Sequence, residues 1–423
     1  MRGERLTRQI DWLTIFIYLT LVVLGWFNIY AADYDPELNQ SMFSLSQSSG
    51  KQLLWIGTAM VLIIIVLALD YRFYEQFSFI VYGVAIFLLV FVLFFGKEVA
   101  GSRSWFEIGS FRLQPSEFAK IAAALGLAKF FGTANRKVSN NRDLILSSLF
   151  FLTPLGLIVL QGDAGTAMVY LAFFIVLFRE GMSPMLLMSG LGIIALFLLT
   201  LVLNKIILII GIVVITLVVA GIMARSLKRA VVIGIAAILS IGIVVSVEFV
   251  LNDVLKSHQR KRVNLLINPN ADPLGVGWNT TQSKIAIGSG GWTGKGYLDG
   301  TQTKFDFVPA QTTDFIFCTV GEEHGWIGST AVLIIFAGLL FRLSFLAERQ
   351  KSLFTRVYGY SVIAVIFFHF VINISMTIGL FPVIGIPLPF FSYGGSSLWS
   401  FTILLFIFLK LDAHRMQVLQ RSS

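Results

Sequence analysis

Apolar residues in this chain run continuously instead of alternating with polar ones. Stretches of about 20 apolar residues recur along the whole length, at 11–32, 52–70, 77–96, 115–133, 144–160, 165–179, 184–203, 206–224, 231–251, 327–347, 357–378 and 391–411. Each is long enough to cross a hydrocarbon core of about 30 Å as a helix. The continuity excludes a porin-like barrel, whose strands alternate between lipid-facing and lumen-facing residues. The pattern predicts an all-α polytopic membrane protein with about twelve transmembrane helices. The first run is longer than the apolar part of a signal peptide and has no small-residue cleavage site, so it reads as a retained span. The region 184–251 is the most crowded, with only Asn204 and Lys205 as a turn between its first two runs.

Composition agrees with this reading: 56% of residues are hydrophobic and 13% charged, against roughly a quarter charged in a soluble domain. The formal net charge of +9 is explained by where the basic residues sit. Arg2, Arg5 and Arg8 precede the first run. Lys129, Arg136, Lys137 and Arg142 lie between the fourth and fifth, Arg225, Lys228 and Arg229 between the eighth and ninth, and Arg349, Lys351 and Arg356 between the tenth and eleventh. With twelve spans all of these fall on one side, together with both termini, and the positive-inside bias makes that side cytoplasmic. This distribution argues against nucleic acid as a partner. The opposite side carries Asp33, Asp35 and Glu37, the stretch 97–114, and one large extracytoplasmic loop, 252–326. Cys318 is the single cysteine, so no disulfide framework exists. The chain reads as one integral membrane domain, 1–423, containing that loop.

The glycine-rich run "GSGGWTGKG" (288–296) has the look of a phosphate loop. A Walker loop requires glycine five residues before Gly294, where the chain has Ser289, and a hydroxyl residue after Lys295, where it has Gly296. The nucleotide reading fails. Two readings remain open: a backbone that approaches a diphosphate, with Lys284 and Lys295 nearby, or a plain flexible turn. In "FRLQPSEFAK" (111–120), Pro115 suits a first helical turn, and Glu117 and Lys120 share a face at i and i+3. They form either the polar wall of a substrate groove or an interfacial anchor. Asp163 is a helix N-cap candidate. His369 and Asn373, four apart, face one another or a polar cavity, and no metal-ligand spacing occurs. "FPVIGIPLPFFSYGGSS" (381–397) holds three prolines and reads as a re-entrant segment. Asp272, in "INPNADPLGVGWN", is either a turn-former or a general base, with Asp253, Asp299, Asp306, Asp314, Glu322 and Glu323 as rival carboxylates in the same loop.

Taken together, "GSRSWFEIGSFRLQPSEFAK", "QGDAGTA", the block from Asn268 to Gly328 and "FPVIGIPLPFFSYGGSS" closely resemble the SEDS proteins (shape, elongation, division and sporulation), with the elongation branch more than the division branch. The resemblance implies a peptidoglycan glycosyltransferase that polymerises lipid II at the outer face of the bacterial inner membrane and works with a class B penicillin-binding protein. It implies that Asp272 takes a proton from the acceptor GlcNAc 4-hydroxyl, with inversion at the donor MurNAc carbon and loss of undecaprenyl diphosphate. Arg103, Trp105, Glu117 and Lys120 match family blocks; Lys284, Lys295 and Ser396 are carried over as donor or diphosphate contacts. No cofactor is implied, and a requirement for a divalent cation is left open. The implied partners are lipid II, the transpeptidase and membrane lipids, and both termini are expected in the cytoplasm. The chain departs from the family at Gln161-Gly162-Asp163, where Gln-Pro-Asp is usual. It also has two spans more than the usual ten, which points to an extra helix pair at 184–230. A flippase for lipid-linked precursors and a non-catalytic scaffold for a penicillin-binding protein are the competing functions.

Overall fold

The computed structural model describes residues 9–34, 41–99, 101–109, 111–133, 136–223, 226–249, 277–305 and 307–415. Helices α1 (Trp12–Ala32), α2 (Ser48–Ala68) and α3 (Tyr71–Phe95) come first. Strands β1 (Lys97–Val99), β2 (Ser102–Ile108) and β3 (Phe111–Leu113) follow, then α4 (Pro115–Gly132), α5 (Asn141–Leu160), α6 (Ala164–Val169) and α7 (Phe173–Arg179), the last two joined by a single 3-10 turn. Next come α8 (Pro184–Val202), α9 (Lys205–Met223), α10 (Leu227–Phe249), α11 (Trp278–Ser289) and α12 (Thr301–Lys304). The chain ends with α13 (Ile316–Glu348), α14 (Leu353–Thr377) and α15 (Gly395–Ala413).

The protein is a polytopic, mainly helical membrane protein. Each of the twelve expected runs overlaps helix among the described residues, the last of them only from Gly395 onward. Among the described residues, nine helices are long and apolar enough to cross a bilayer: α1, α2, α3, α5, α9, α10, α13, α14 and α15. Side chains at the helix starts fix the ends of several of them. Asp11 accepts from the Thr14 amide, Asp70 from Arg72 and Asn140 from Arg142, supplying partners for amides that a first turn leaves unpaired.

The chain divides into two compact units. One is 182–278, in which α8, α9 and α10 pack on one another; the other comprises 1–181 with 279–423. Within the larger unit, α4 is the exception that explains the arrangement. It carries Glu117, Lys120 and Lys129 and is accordingly not among the nine. It packs against α3, α5, α14 and α15, so Glu117 and Lys120 face protein and not lipid, where they would be costly, while the partly exposed Lys129 pairs with Glu75 at 3.3 Å.

The stretch 97–113, read from sequence only as an outer connection, is a three-stranded antiparallel meander in the order β1-β2-β3. Its register sets Lys97 opposite Trp105 and Glu107 opposite Arg112. Glu107 pairs with Lys97 and with Arg112 (3.3 Å), and these two cations, Lys97 foremost, hold its carboxyl below the usual range.

Candidate functional site

The N-terminus of α4 is the polar centre of the larger unit. Pro115 occupies the first turn, where its missing N–H costs nothing, and Glu117 lies at the positive end of the helix dipole. Lys120 Nζ donates to Glu117 Oε2 at 2.9 Å and to His369 Nε2, on α14, at 3.0 Å. The ammonium also stands 4.6 Å from the centre of the Phe401 ring. Lys120 is 0% exposed and Glu117 3%. The pair is therefore enclosed by protein in this conformation, and does not form an open groove wall. Taking two ions out of water costs several kcal/mol each, so only close pairing and further hydrogen bonds make such a placement tolerable.

From this pair the contacts lead outward to the proline-rich segment. His369 Nδ1 lies 3.1 Å from the Pro387 carbonyl, and Asn373 Nδ2 donates to Asp314 O and Ile386 O, each at 2.8 Å. Segment 381–394 contains no regular element, as its prolines dictate. It is fastened to the chain before α13 by Ser392 Oγ donating to Thr313 O (2.5 Å) and by the Tyr393 amide donating to Thr312 O (2.9 Å).

Serine hydroxyls tie α15 to the start of α4. Ser396 Oγ donates to Arg112 O (3.2 Å) and accepts from the Gln114 amide (3.4 Å), while Ser400 Oγ donates to Glu117 O (2.6 Å). Gln114 Nε2 donates to Asp163 Oδ2 at 2.9 Å, and Asp163 caps α6 by accepting from the Thr166 amide at 3.1 Å. Gly162 before it has φ +83. Ser396 thus acts within the fold as a splice between α15 and α4.

The glycine run has a structural task that neither open reading anticipated. Helix α13 breaks at Gly325, with φ +61 and ψ −155, and the run splints both sides of the break. Amides of Lys295 and Gly296 donate to Glu322 O and Glu323 O, each at 3.0 Å; carbonyls of Gly291 and Trp292 accept from the amides of Trp326 (2.9 Å) and Ile327 (3.1 Å). Two of the amides that were candidates for a diphosphate, those of Lys295 and Gly296, are therefore spent on the interrupted helix, and those of Gly290 and Gly294 on Ile287 O and Gly290 O. A Cβ on Gly294 (φ +82) would lie 2.0 Å from Glu323 O, so Gly294→Ala combines backbone overlap with a left-handed conformation costing about 1–2 kcal/mol. The variant is expected to lose at least about 2 kcal/mol, read as a lowered unfolding midpoint in detergent; an unchanged midpoint would remove the splint.

Lys295 is drawn into the same construction. Its Nζ donates to Glu322 Oε1 (2.6 Å) and Thr301 Oγ1 (2.7 Å), and Glu322 also accepts from the amides of Gln302 (2.8 Å) and Thr303 (2.9 Å) at the start of α12. Lys284 is exposed on α11, its stem beside Gly379. Arg103 and Trp105 lie on β2, Arg103 opposite Glu98 at 3.9 Å. Asp272 lies outside the described residues. The structure brings Glu117, Lys120 and Ser396 to one helix start and sets Lys295 in the splint. Among the described residues no three His, Cys, Asp or Glu side chains form a metal-binding group. The sequence marks neither the Lys120–His369 contact nor the place of Phe401, and Glu322 reads there as a rival carboxylate and not as the partner of Lys295. Contacts spanning 249 residues leave no local spacing to detect.

Comparison with known proteins gives these features a context. The cell cycle protein family FtsW/RodA/SpoVE matches residues 11–207 and 187–417. The chain is 33% identical to the peptidoglycan glycosyltransferase RodA of Treponema pallidum, covering 96% of this chain and 98% of that one. It is 32% identical to the peptidoglycan glycosyltransferase MrdB of Escherichia coli K12, covering 96% and 94%. Among solved structures it resembles a chain from work on the structural coordination of polymerization and crosslinking by a peptidoglycan synthase complex, with TM-score 0.71 and 27% identity over 96% of this chain and 99% of that one. The rod shape determining protein RodA of Thermus thermophilus aligns with TM-score 0.62 and 25% identity over 96% and 97%.

Proposed function

The chain belongs to the FtsW/RodA/SpoVE family of cell cycle proteins, and from that premise we propose that it polymerises lipid II into glycan strands at the outer face of the bacterial inner membrane during cell elongation. It is a multi-pass membrane enzyme, a peptidoglycan glycosyltransferase. The observation that carries this reading is its 33% identity, over nearly the full length of both chains, to a protein of that activity.

In the proposed reaction Asp272 removes the proton from the 4-hydroxyl of the acceptor GlcNAc. The oxygen attacks the anomeric carbon of the donor MurNAc, the configuration inverts, and undecaprenyl diphosphate leaves. Such a step needs a base beside the acceptor and positive charge at the leaving diphosphate. Lys284, exposed on α11, and Arg103, half-exposed on β2, are the proposed cations. Lys295 spends two of its three N–H donors on Glu322 and Thr301. Trp105 is assigned to the same outer surface. The buried Glu117–Lys120 pair and Ser396 are assigned to shaping the site. A class B penicillin-binding protein is the proposed partner, and the neighbouring chain from a synthase complex supports it. We read 184–230 as a helix pair added to a ten-span core in a single membrane domain.

Purified protein given labelled lipid II is expected to produce a ladder of glycan strands, more strongly with its transpeptidase partner. Intact lipid II after incubation under both conditions would refute the enzymatic reading and leave the scaffold or the flippase. Sidedness has its own test, in which the native Cys318 is silent because it is buried. Phe305→Cys is expected to react with an impermeant maleimide added to intact spheroplasts, and Lys351→Cys only after lysis. The reverse pattern would place 252–326 in the cytoplasm and both termini outside.

A further inference from the structure

The buried ion pair and the proline-rich segment meet at one side chain. A lysine ammonium can only donate, so His369 Nε2, 3.0 Å from Lys120 Nζ, must accept. The ring proton then sits on Nδ1 and is donated to Pro387 O at 3.1 Å. The arrangement fixes the tautomer and gives a continuous chain: carboxylate, ammonium, imidazole, backbone carbonyl. His369 is 0% exposed and its ring meets Phe401 edge-on, at 4.8 Å and 90°, so both bonds are shielded from bulk solvent.

The carbonyl that it holds lies just before a self-bonded turn, in which the amides of Phe391 and Ser392 donate to Leu388 O and the Leu388 amide donates to Ser392 Oγ (2.9 Å). Prolines 382, 387 and 389 provide no N–H groups. The carbonyls of Ile386 and Pro387 take their donors from α14, one from Asn373 and one from His369. Three residues on, Phe390 is buried with φ +66, a conformation that a side chain adopts at a cost of about 1–2 kcal/mol and keeps only where its surroundings impose it. The segment then enters α15, whose Ser396 and Ser400 grip the backbone around the start of α4. The path from Lys120 through His369, Pro387 and α15 returns to α4.

We propose that His369 is a positioning residue, the joint by which the buried Glu117–Lys120 pair holds segment 381–394, and through it the start of α15, in working geometry. Its effect on turnover rests on the glycosyltransferase reading; its effect on the segment does not. His369→Leu keeps the bulk and removes both bonds, whereas His369→Gln offers an oxygen to Lys120 and an amide N–H to Pro387.

Two measurements on the purified full-length protein separate the joint from ordinary packing. In hydrogen exchange, His369→Leu is expected to speed exchange at 381–394 about tenfold, the loss of roughly one buried hydrogen bond, with α5 unchanged. In lipid II polymerisation it is expected to lower turnover about 100-fold, the scale of a displacement of about 1 Å, with KM changed less than about threefold, since the contacts that bind substrate remain. His369→Gln is expected to recover both. If the leucine variant cannot be recovered as a monodisperse protein, His369→Asn, whose shorter side chain has an amide near the Nδ1 position for Pro387 O and no atom at the Nε2 position for Lys120, carries the same signature with a loss of about tenfold. Wild-type exchange at 381–394 in the leucine variant, or faster exchange spread evenly over the chain, would overturn the proposal. So would a glutamine variant as impaired as leucine. A wild-type protein inactive on lipid II would instead refute the functional reading while the exchange result still decided the joint.

Discussion

Lys120→Met is expected to destabilise the protein by about 3–5 kcal/mol, the cost of leaving one member of a buried ion pair without its partner. Methionine fills most of the lysine volume, so the loss is electrostatic and not a cavity effect. Glu117, 3% exposed, would keep its charge with no cation in contact or take up a proton, and either outcome disfavours the folded state. Adding Glu117→Gln is expected to return a substantial part of the loss, because the second substitution removes the orphaned charge. The coupling between the two changes, measured by unfolding wild type, both single variants and the double variant in one detergent, isolates the pair. A contrasting pair is Arg179–Glu348, which is close at 2.6 Å but about half exposed on both sides; such pairs contribute roughly 0–1 kcal/mol. Should Lys120→Met unfold at the wild-type midpoint, water must reach Glu117, and the enclosed site described here is incorrect. Polymerisation by the double variant separates shape from charge. Activity restored along with stability would leave the pair a structural part, and stability restored without activity would show that the ammonium is needed in the reaction.

The helices were legible because lipid imposes one strong rule. A span must satisfy its own backbone and show apolar side chains, so composition over about 20 residues suffices to find it. Glu117 and Lys120 could be paired from their spacing, and Asp163 could be recognised as a cap, because both are local arrangements. The meander at 97–113 was not legible. Its strands are three to seven residues long and rich in charge, and they are held by cross-strand pairs such as Glu107 with Lys97 and Arg112 and by distant contacts such as the Arg103 amide donating to Gln161 O (2.9 Å). The glycine run misled for a related reason. Glycine signals that a backbone will come close to something, but not to what; here it is the broken turn at Gly325 and not a ligand. Lys295 likewise looked like a ligand residue because its counter-charge, Glu322, is 27 residues away. His369 was visible as a buried polar residue on an apolar helix, yet the lysine that explains it lies on another helix and in another family block.

Asp272→Asn is expected to abolish polymerisation by folded protein, lowering the rate by about 10²–10⁴-fold, the usual contribution of a general base. Asparagine keeps the size and the turn-forming ability of the side chain, so a purely structural aspartate would tolerate it well. The surrounding structure narrows the rivals. Glu322 is fully buried, with Lys295 and the first amides of α12 around it, and cannot meet a sugar hydroxyl without leaving them; Glu323 accepts from the Leu298 amide at 3.1 Å and, at 2% exposed, is enclosed by protein in this conformation. Asp299, between α11 and α12, is exposed and serves as the control: Asp299→Asn is expected to polymerise at close to the wild-type rate. The transpeptidase partner should not rescue Asp272→Asn, because binding elsewhere cannot supply a missing proton acceptor. Binding of lipid II should persist, since an uncharged isostere removes the base and leaves the contacts to diphosphate and lipid. Retained polymerisation by Asp272→Asn, with Asp299→Asn inactive, would move the base to the splint side of the outer loop. Retained polymerisation by both would mean that the acceptor hydroxyl loses its proton to a group outside these two carboxylates.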